Sequence, residues 1–120
     1  MASKKLDEAG AEPWQNWFVD LDPVKAYEQA GRRPALVVST NPFHHSMAGM
    51  VVVVPLSTKE KHVPLPVRIS PPEGGLRQVS FIRCEDVRSV SRERLASRLG
   101  RVLTPTMLAV ENRLRLLLEL

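Results

Sequence analysis

The chain has 120 residues and a formal net charge of +4, with 43% hydrophobic and 25% charged residues. These proportions are typical of a folded globular protein, and the length suits a single domain. The one cysteine, Cys84, excludes an intrachain disulfide and a zinc site built from several cysteines. No run of about 18 apolar residues is present, and Met1 to Gly10 has no apolar stretch of the kind found in signal peptides. We therefore expect a cytoplasmic protein without a transmembrane helix.

Arginine dominates the positive charge, supplying 12 of the 17 basic residues. Its planar guanidinium group can bind two phosphate oxygens at once. A basic, arginine-rich domain is compatible with nucleic acid as a partner, but a solvated basic surface would have the same composition.

The first half of the chain is predicted to form strands separated by polar loops. Residues 1–12 are small and charged and predict a disordered arm, followed by a single domain over residues 13–120. The predicted strands are Trp17 to Leu21, Pro34 to Ser39 and Gly49 to Leu56, with loops at Lys25 to Arg33 and Thr40 to Ala48. The third strand contains four consecutive valines, which predicts that both of its faces are covered.

The second half is predicted to contain shorter elements. Two prolines make Val63 to Ser70 an edge strand at best. We predict further strands and one short helix, in the order Val79 to Cys84, Val87 to Val90, a helix over Ser91 to Arg98, and Arg101 to Leu103.

A final helix is predicted to begin at Thr104-Pro105, with threonine as the N-cap and proline in the first helical position. Met107, Val110, Leu114 and Leu117 follow the helical period. The predicted fold is therefore mainly β, a small curled sheet or barrel with a C-terminal α-helix.

Several polar side chains lie at the ends of the predicted strands. Arg33 precedes a proline, which favours an extended backbone, and Ser57 and Thr58 follow the valine strand. Arg83 and Glu85 are expected on one face of a strand, whereas Asp86 would point to the opposite face from Glu85.

Carboxylate, arginines and hydroxyls could supply the base, the charge stabilisation and the acid that metal-free RNA cleavage needs. Solvated loop ends and a surface ion pair would show the same residues. The histidines His44, His45 and His62 match no metal-ligand spacing, and no nucleotide-binding motif is present, so we predict neither a metal nor a cofactor.

Four segments, in order, carry a resemblance to one family. The motifs W-x-x-D-L-D-P, E-Q-x-G-x-R-P-x-L-V-V, V-x-P-[IL]-T and C-[ED]-Q-[IP]-R-[ST]-[IV] are matched by Trp17 to Pro23, Glu28 to Ser39, Val53 to Ser57 and Cys84 to Val90. These segments resemble the MazF/PemK growth-inhibiting toxins of bacterial toxin–antitoxin modules.

The resemblance implies a small Src-homology-3-like β-barrel, as in the gyrase poison CcdB and in MazF, assembled as a homodimer. It implies an endoribonuclease that cuts single-stranded RNA at short sequences, and a cognate antitoxin with a disordered acidic tail. Because no residue cluster suits a catalytic metal, we expect the ribose 2′-hydroxyl to be the nucleophile.

The resemblance also implies roles for individual residues. The catalytic pair of the MazF branch falls on Arg33 and Ser57, and the acid and base of the PemK branch fall on Arg83 and Glu85. The motif glutamate is Glu28, so either Glu28 or Glu85 would be the base. The remaining candidates are expected to bind RNA, with the two aromatic rings as stacking platforms: Lys25, Tyr27, Gln29, Arg32, Phe43, Thr58 and Arg88.

The chain departs from the family pattern at four places. Pro13-Trp14-Gln15 replaces an R-G-[DE] turn, Tyr27 replaces a histidine of the PemK branch, Ser57 replaces threonine and Asp86 replaces glutamine. Two other functions remain open: a non-catalytic gyrase poison like CcdB, and a degenerate member that only binds RNA or an antitoxin. The retention of Arg33 and of a hydroxyl at Ser57 argues against degeneration.

Overall fold

The computed structural model describes residues 12–21, 32–40, 49–60 and 65–120. Within these ranges the chain forms seven strands, three short 3-10 turns and one α-helix. The elements are β1 (Gln15–Asp20), β2 (Arg32–Val37), β3 (Met50–Ser57), β4 (Val67–Ile69), β5 (Ser80–Ile82), β6 (Arg88–Ser91), β7 (Leu95–Arg101) and α1 (Thr104–Leu118). Most of the predicted arm and of the two predicted loops lies outside the described residues. Arg32 and Arg33, predicted as the end of the first loop, belong to β2 because they pair with β1.

The strands form one antiparallel sheet in the order β4-β5-β3-β2-β1-β7. The long strand β3 has two partners in succession on one side, because Met50 to Val53 pair with β6 while Leu56 and Ser57 pair with β5. The sheet forms a half-barrel, and the described residues contain one α-helix, at the C-terminal end. The predicted fold class, mainly β with a C-terminal helix, is confirmed.

The two central strands bury both faces. In β2, Leu36 contributes to a core cluster that includes Val110 of α1, whereas Ala35 and Val37 contribute to a second cluster against β1. The valines of β3 divide in the same way, with Val54 in the first cluster and Val51 and Val53 in the second. The prediction that the valine strand is covered on both faces is confirmed.

The short helix predicted over Ser91 to Arg98 is wrong. Ser91 Oγ accepts a hydrogen bond from Glu93 N and begins one 3-10 turn, Arg92–Arg94, after which the chain becomes β7. That strand pairs with β1 along its length. Backbone pairing with a neighbouring strand thus overrides the local helical preference, and the strand predicted at Arg101 to Leu103 is only the end of β7.

The strand predicted over Val79 to Cys84 is shorter than expected. It covers Ser80–Ile82, and a 3-10 turn, Cys84–Asp86, follows. Arg83 therefore stands between a strand and a turn, where the alternation of a strand no longer decides which way side chains point. In the part of the predicted edge strand that the structure describes, residues 65–70, Val67–Ile69 forms the strand β4, which lies at one end of the sheet as predicted.

The start of α1 differs from the predicted cap. Leu103, not Thr104, occupies the N-cap position, and the side chain of Leu103 makes no capping hydrogen bond. Instead Glu73 Oε2 accepts hydrogen bonds from Leu103 N at 2.9 Å and from Thr106 Oγ1 at 2.5 Å. A carboxylate from a distant turn thus satisfies donors at the N-terminus of the helix.

No helix among the described residues has the length and apolarity that crossing a membrane would require.

Candidate active site

A shallow cavity of about 150 Å³ lies where β2 begins and β3 ends. The two strands are antiparallel, with Ala35 opposite Pro55, and extending this register by two residues places Arg33 opposite Ser57. The sheet therefore brings together two residues from separate sequence motifs. The cavity is lined by Arg32, Arg33, Pro34, Leu56, Ser57, Thr58 and Ser80.

Ser57 is nearly buried, with 9% of its surface exposed. Its Oγ accepts a hydrogen bond from Lys59 N at 3.1 Å, so that the chain turns directly after β3. Since a hydroxyl both donates and accepts, this bond leaves the hydroxyl hydrogen able to donate to an oxygen of a ligand. Thr58 beside it is exposed and adds a second hydroxyl.

Two arginines supply the positive charge of the cavity. Arg33 is half-buried and lies opposite Val19 in the β1–β2 pairing, in the extended conformation that Pro34 favours. Arg32 is exposed, and its Nε lies 3.9 Å from Asp20 Oδ1. Because both groups of that pair are solvated and the distance is long, the contact contributes little and does not prevent Arg32 from binding an anion.

Sequence reasoning missed one polar residue of the cavity, Ser80. It is 4% exposed, and its Oγ donates to the carbonyl oxygen of Gln78 at 3.1 Å. Its neighbour Phe81 pairs with Ser57, which brings the start of β5 to the end of β3. A single serine at the start of a short strand carries no sequence signal, and only the strand pairing places it here.

Arg83 and Glu85 do not line this cavity. Arg83 Nε lies 3.6 Å from Glu85 Oε2 and 3.3 Å from Asp86 Oδ2, so one guanidinium contacts both carboxylates. The prediction that Glu85 and Asp86 point to opposite faces is wrong, because the 3-10 turn directs both towards Arg83. The predicted acid and base roles of Arg83 and Glu85 stay predictions.

Cys84 is fully buried beside these charged residues. Burial is the main cause that raises the pKa of its thiol to about 11, the negative charge of Glu85 is the second, and Arg113 opposes both. The thiol therefore stays protonated at neutral pH, which makes it an inert core residue and not a nucleophile.

Several predicted site residues lie outside the described residues: Lys25, Tyr27, Glu28, Gln29 and Phe43. Arg88 is described and is exposed on β6, where it pairs with Val53. The choice between Glu28 and Glu85 as base therefore stays a prediction. Among the described residues, no group of three or more histidine, cysteine or acidic side chains is placed to hold a metal ion.

Comparison with known proteins places this chain in a family. Residues 12–118 match the family model described as PemK-like, MazF-like toxin of type II toxin-antitoxin system. Endoribonuclease MazF9 of Mycobacterium tuberculosis is 33% identical over 109 residues, covering 87% of this chain and 92% of that protein. Endoribonuclease toxin MazF of Escherichia coli is 32% identical over 120 residues, covering 98% and 99%.

The solved structures agree. The crystal structure of MazE-MazF from Deinococcus radiodurans contains a chain with a TM-score of 0.76 and 25% identity, over 92% of this chain and 96% of that one. The present chain belongs to the PemK-like and MazF-like toxins of type II toxin–antitoxin systems.

Proposed function

We propose that the chain is an endoribonuclease, the toxin of a toxin–antitoxin module, and that it cuts single-stranded RNA at short sequences. The observation that carries this proposal is the cavity that Arg33 of β2 and Ser57 at the end of β3 both line. The two relatives reported above are named endoribonucleases, and this chain matches them over nearly their whole length. Both facts support the same activity here.

The polar residues of the cavity suit a phosphate group whose negative charge increases in the transition state. The guanidinium of Arg33 and the hydroxyl of Ser57 donate to oxygens of the scissile phosphate and stabilise the negative charge that grows in the transition state. Arg32 adds a second positive group at the mouth. The fixed strand pairing holds these donors in place before substrate binds.

The proposed reaction needs only groups of the protein and the substrate. Glu28 or Glu85 takes the proton of a ribose 2′-hydroxyl, and the 2′-oxygen forms a bond to the neighbouring phosphorus. The bond from phosphorus to the 5′-oxygen breaks, and that oxygen receives a proton from Arg33, directly or through water. Arg83, which does not line the cavity, would act through its contact with Glu85. The products are a 2′,3′-cyclic phosphate and a 5′-hydroxyl.

The proposed partners follow from charge and exposed apolar surface. An antitoxin with a disordered acidic tail would bind the arginine-rich surface and compete with RNA, and one of the solved relatives is a MazE-MazF complex. Exposed leucines on α1 support a homodimer. We place the protein in the bacterial cytoplasm, where its RNA substrate is found.

The proposal is tested by incubating the purified protein with a long single-stranded RNA and with DNA of the same sequence. We expect RNA fragments whose ends map to one short sequence, and intact DNA. A gyrase poison, or a family member that only binds RNA, would leave the RNA intact, and that result would contradict the proposal.

A further inference from the structure

The two buried hydroxyls of the cavity have opposite hydrogen-bonding roles, which their partners determine. A backbone N–H can only donate, so Ser57 Oγ accepts from Lys59 N and keeps its hydrogen for a ligand. A backbone carbonyl can only accept, so Ser80 gives its hydrogen to Gln78 O and keeps lone pairs for a ligand. The cavity thus presents one hydroxyl as a donor and the other as an acceptor.

A phosphate group uses only the donors. The guanidinium groups of Arg32 and Arg33 and the hydroxyl of Ser57 can all donate to its oxygens, but a phosphodiester has no hydrogen to give to Ser80. Since Ser80 is 4% exposed, its acceptor side is matched to a group that enters the cavity. That group has to carry a hydrogen-bond donor close to the phosphate.

In RNA the 2′-hydroxyl is such a donor on every nucleotide, and it is the group that distinguishes RNA from DNA. Base amines are donors too, but the size of the cavity argues against them. Its volume of about 150 Å³ is below the roughly 300–1,000 Å³ of sites that enclose a whole small ligand. It has room for a phosphate and an adjoining sugar hydroxyl, and not for a base as well.

We propose that Ser80 is a positioning residue that accepts a hydrogen bond from a ribose 2′-hydroxyl next to the phosphate held by Arg33 and Ser57. This inference rests on the proposed RNA cleavage. Ser80 cannot serve as the base, because its hydrogen is tied to a carbonyl that takes up no proton. Its ligand is therefore the 2′-hydroxyl of a neighbouring nucleotide, and not the hydroxyl that attacks.

The test couples a change in the protein with a change in the substrate. After the cleaved sequence has been mapped, short RNAs are made with a single deoxyribose at each position except the cleaved one. Values of kcat/KM are measured for the wild type and for Ser80→Ala. Ser39→Ala is the matched control, because Ser39 is also buried and hydrogen-bonded, at Val52 N, but does not line the cavity.

We expect one deoxyribose position to lower kcat/KM of the wild type by about 3- to 10-fold, the range of a single hydrogen bond. The same position should have no further effect in Ser80→Ala, but should keep its full effect in Ser39→Ala. Thermal unfolding of both variants shows whether either substitution destabilises the fold. A merely structural role of Ser80 would lower kcat/KM for all of the RNAs and would not depend on one sugar.

Two results would overturn the inference while leaving the proposed function intact. The first is a Ser80→Ala variant that responds to every deoxyribose as the wild type does. The second comes from RNAs in which one base lacks its amino group: the effect of Ser80→Ala on kcat/KM would depend on that base and on no sugar. A wild-type protein that cuts no RNA would overturn both the inference and the proposed function.

Discussion

Trp14 has the backbone conformation that glycine favours. Its φ is 69°, and its N–H donates to Val37 O at 2.6 Å while its carbonyl accepts from Val102 N at 3.0 Å. Pro13-Trp14-Gln15 stands where the motif of the resembled family has R-G-[DE], which would align Trp14 with a glycine. Its ring packs against the core cluster that contains Val110, which offsets the strain of the left-handed conformation.

This conformation predicts an unusual order of stability. Trp14→Gly and Trp14→Ala both lose the packing of the ring, but only alanine retains the strain of a positive φ. We expect the glycine variant to be more stable than the alanine variant by about 1 kcal/mol in denaturant unfolding. At half-buried Phe18 in β1, the control, alanine should be the more stable of the two, because glycine weakens a strand. The same order at both positions would contradict the prediction.

Arg33 is where we expect the largest effect on activity. Arg33→Ala removes a preorganised charge stabiliser and should lower kcat/KM for RNA by about 10²-fold or more. Arg33→Lys restores the charge without the planar fork and should recover only part of the rate. Arg68→Ala, an exposed arginine outside the cavity, is the control. Circular dichroism checks the fold, and a well-folded Arg33→Ala with normal rates would show that the assignment is wrong.

Cys84 predicts how stability changes at alkaline pH. Burial, followed by the charge of Glu85, raises the pKa of its thiol from 9.0 to about 11. Between these values the unfolded chain loses the thiol proton while the native protein keeps it, so the free energy of unfolding should fall as pH rises from 9 to 11. Cys84→Val should lack this part of the pH dependence.

Guanidinium unfolding of both proteins at a series of pH values measures the difference, and other titrating groups cancel between them. Below pH 9 the native thiol should also resist thiol reagents until the protein unfolds. Identical slopes for wild type and Cys84→Val would mean that the thiol is not desolvated.

Among the elements, α1 depends on a residue far from it in sequence. Glu73 accepts from both Leu103 N and Thr106 Oγ1, whereas Thr104 makes no capping bond. Glu73→Ala should lower the free energy of unfolding by about 1–2 kcal/mol, the value of a helix cap with a charged acceptor. Thr104→Ala tests the cap expected from the sequence and should have little effect. Thermal unfolding that showed the opposite order would assign the cap to Thr104.

The elements also show which predictions a sequence supports. The valine run in β3 and the period of α1 depend on residue type and spacing, and both were predictable. The segment Ser91 to Arg98 was not, because β7 forms by pairing with β1, and that pairing is invisible locally. The sequence motifs predicted the two arginines and two hydroxyls of the cavity, but Ser80 reaches it only through the pairing of β5 with β3.

For the whole molecule, the helix surface predicts self-association. The valines of β3 are covered by the chain's own cores, so they supply no exposed apolar surface for a dimer. The argument is carried instead by exposed leucines near the C-terminus: Leu108, Leu116, Leu118 and Leu120. We expect a twofold-symmetric dimer at micromolar concentration, measured by light scattering, and a monomer after Leu116→Glu and Leu118→Glu are combined. A monomeric wild type that retains its activity would refute this prediction.

The chemistry of the whole protein with its substrate gives the last prediction. Cleavage should continue in excess EDTA, because the proposed nucleophile is the substrate's own 2′-hydroxyl. The fragments should carry a 2′,3′-cyclic phosphate, or the 3′-phosphate formed from it, and a 5′-hydroxyl. Deoxyribose at the cleaved position should abolish cutting while binding persists, since the positively charged cavity still holds the phosphates. Cutting of that deoxy-substituted strand, or activity that EDTA removes and magnesium restores, would require a different nucleophile even in a true nuclease.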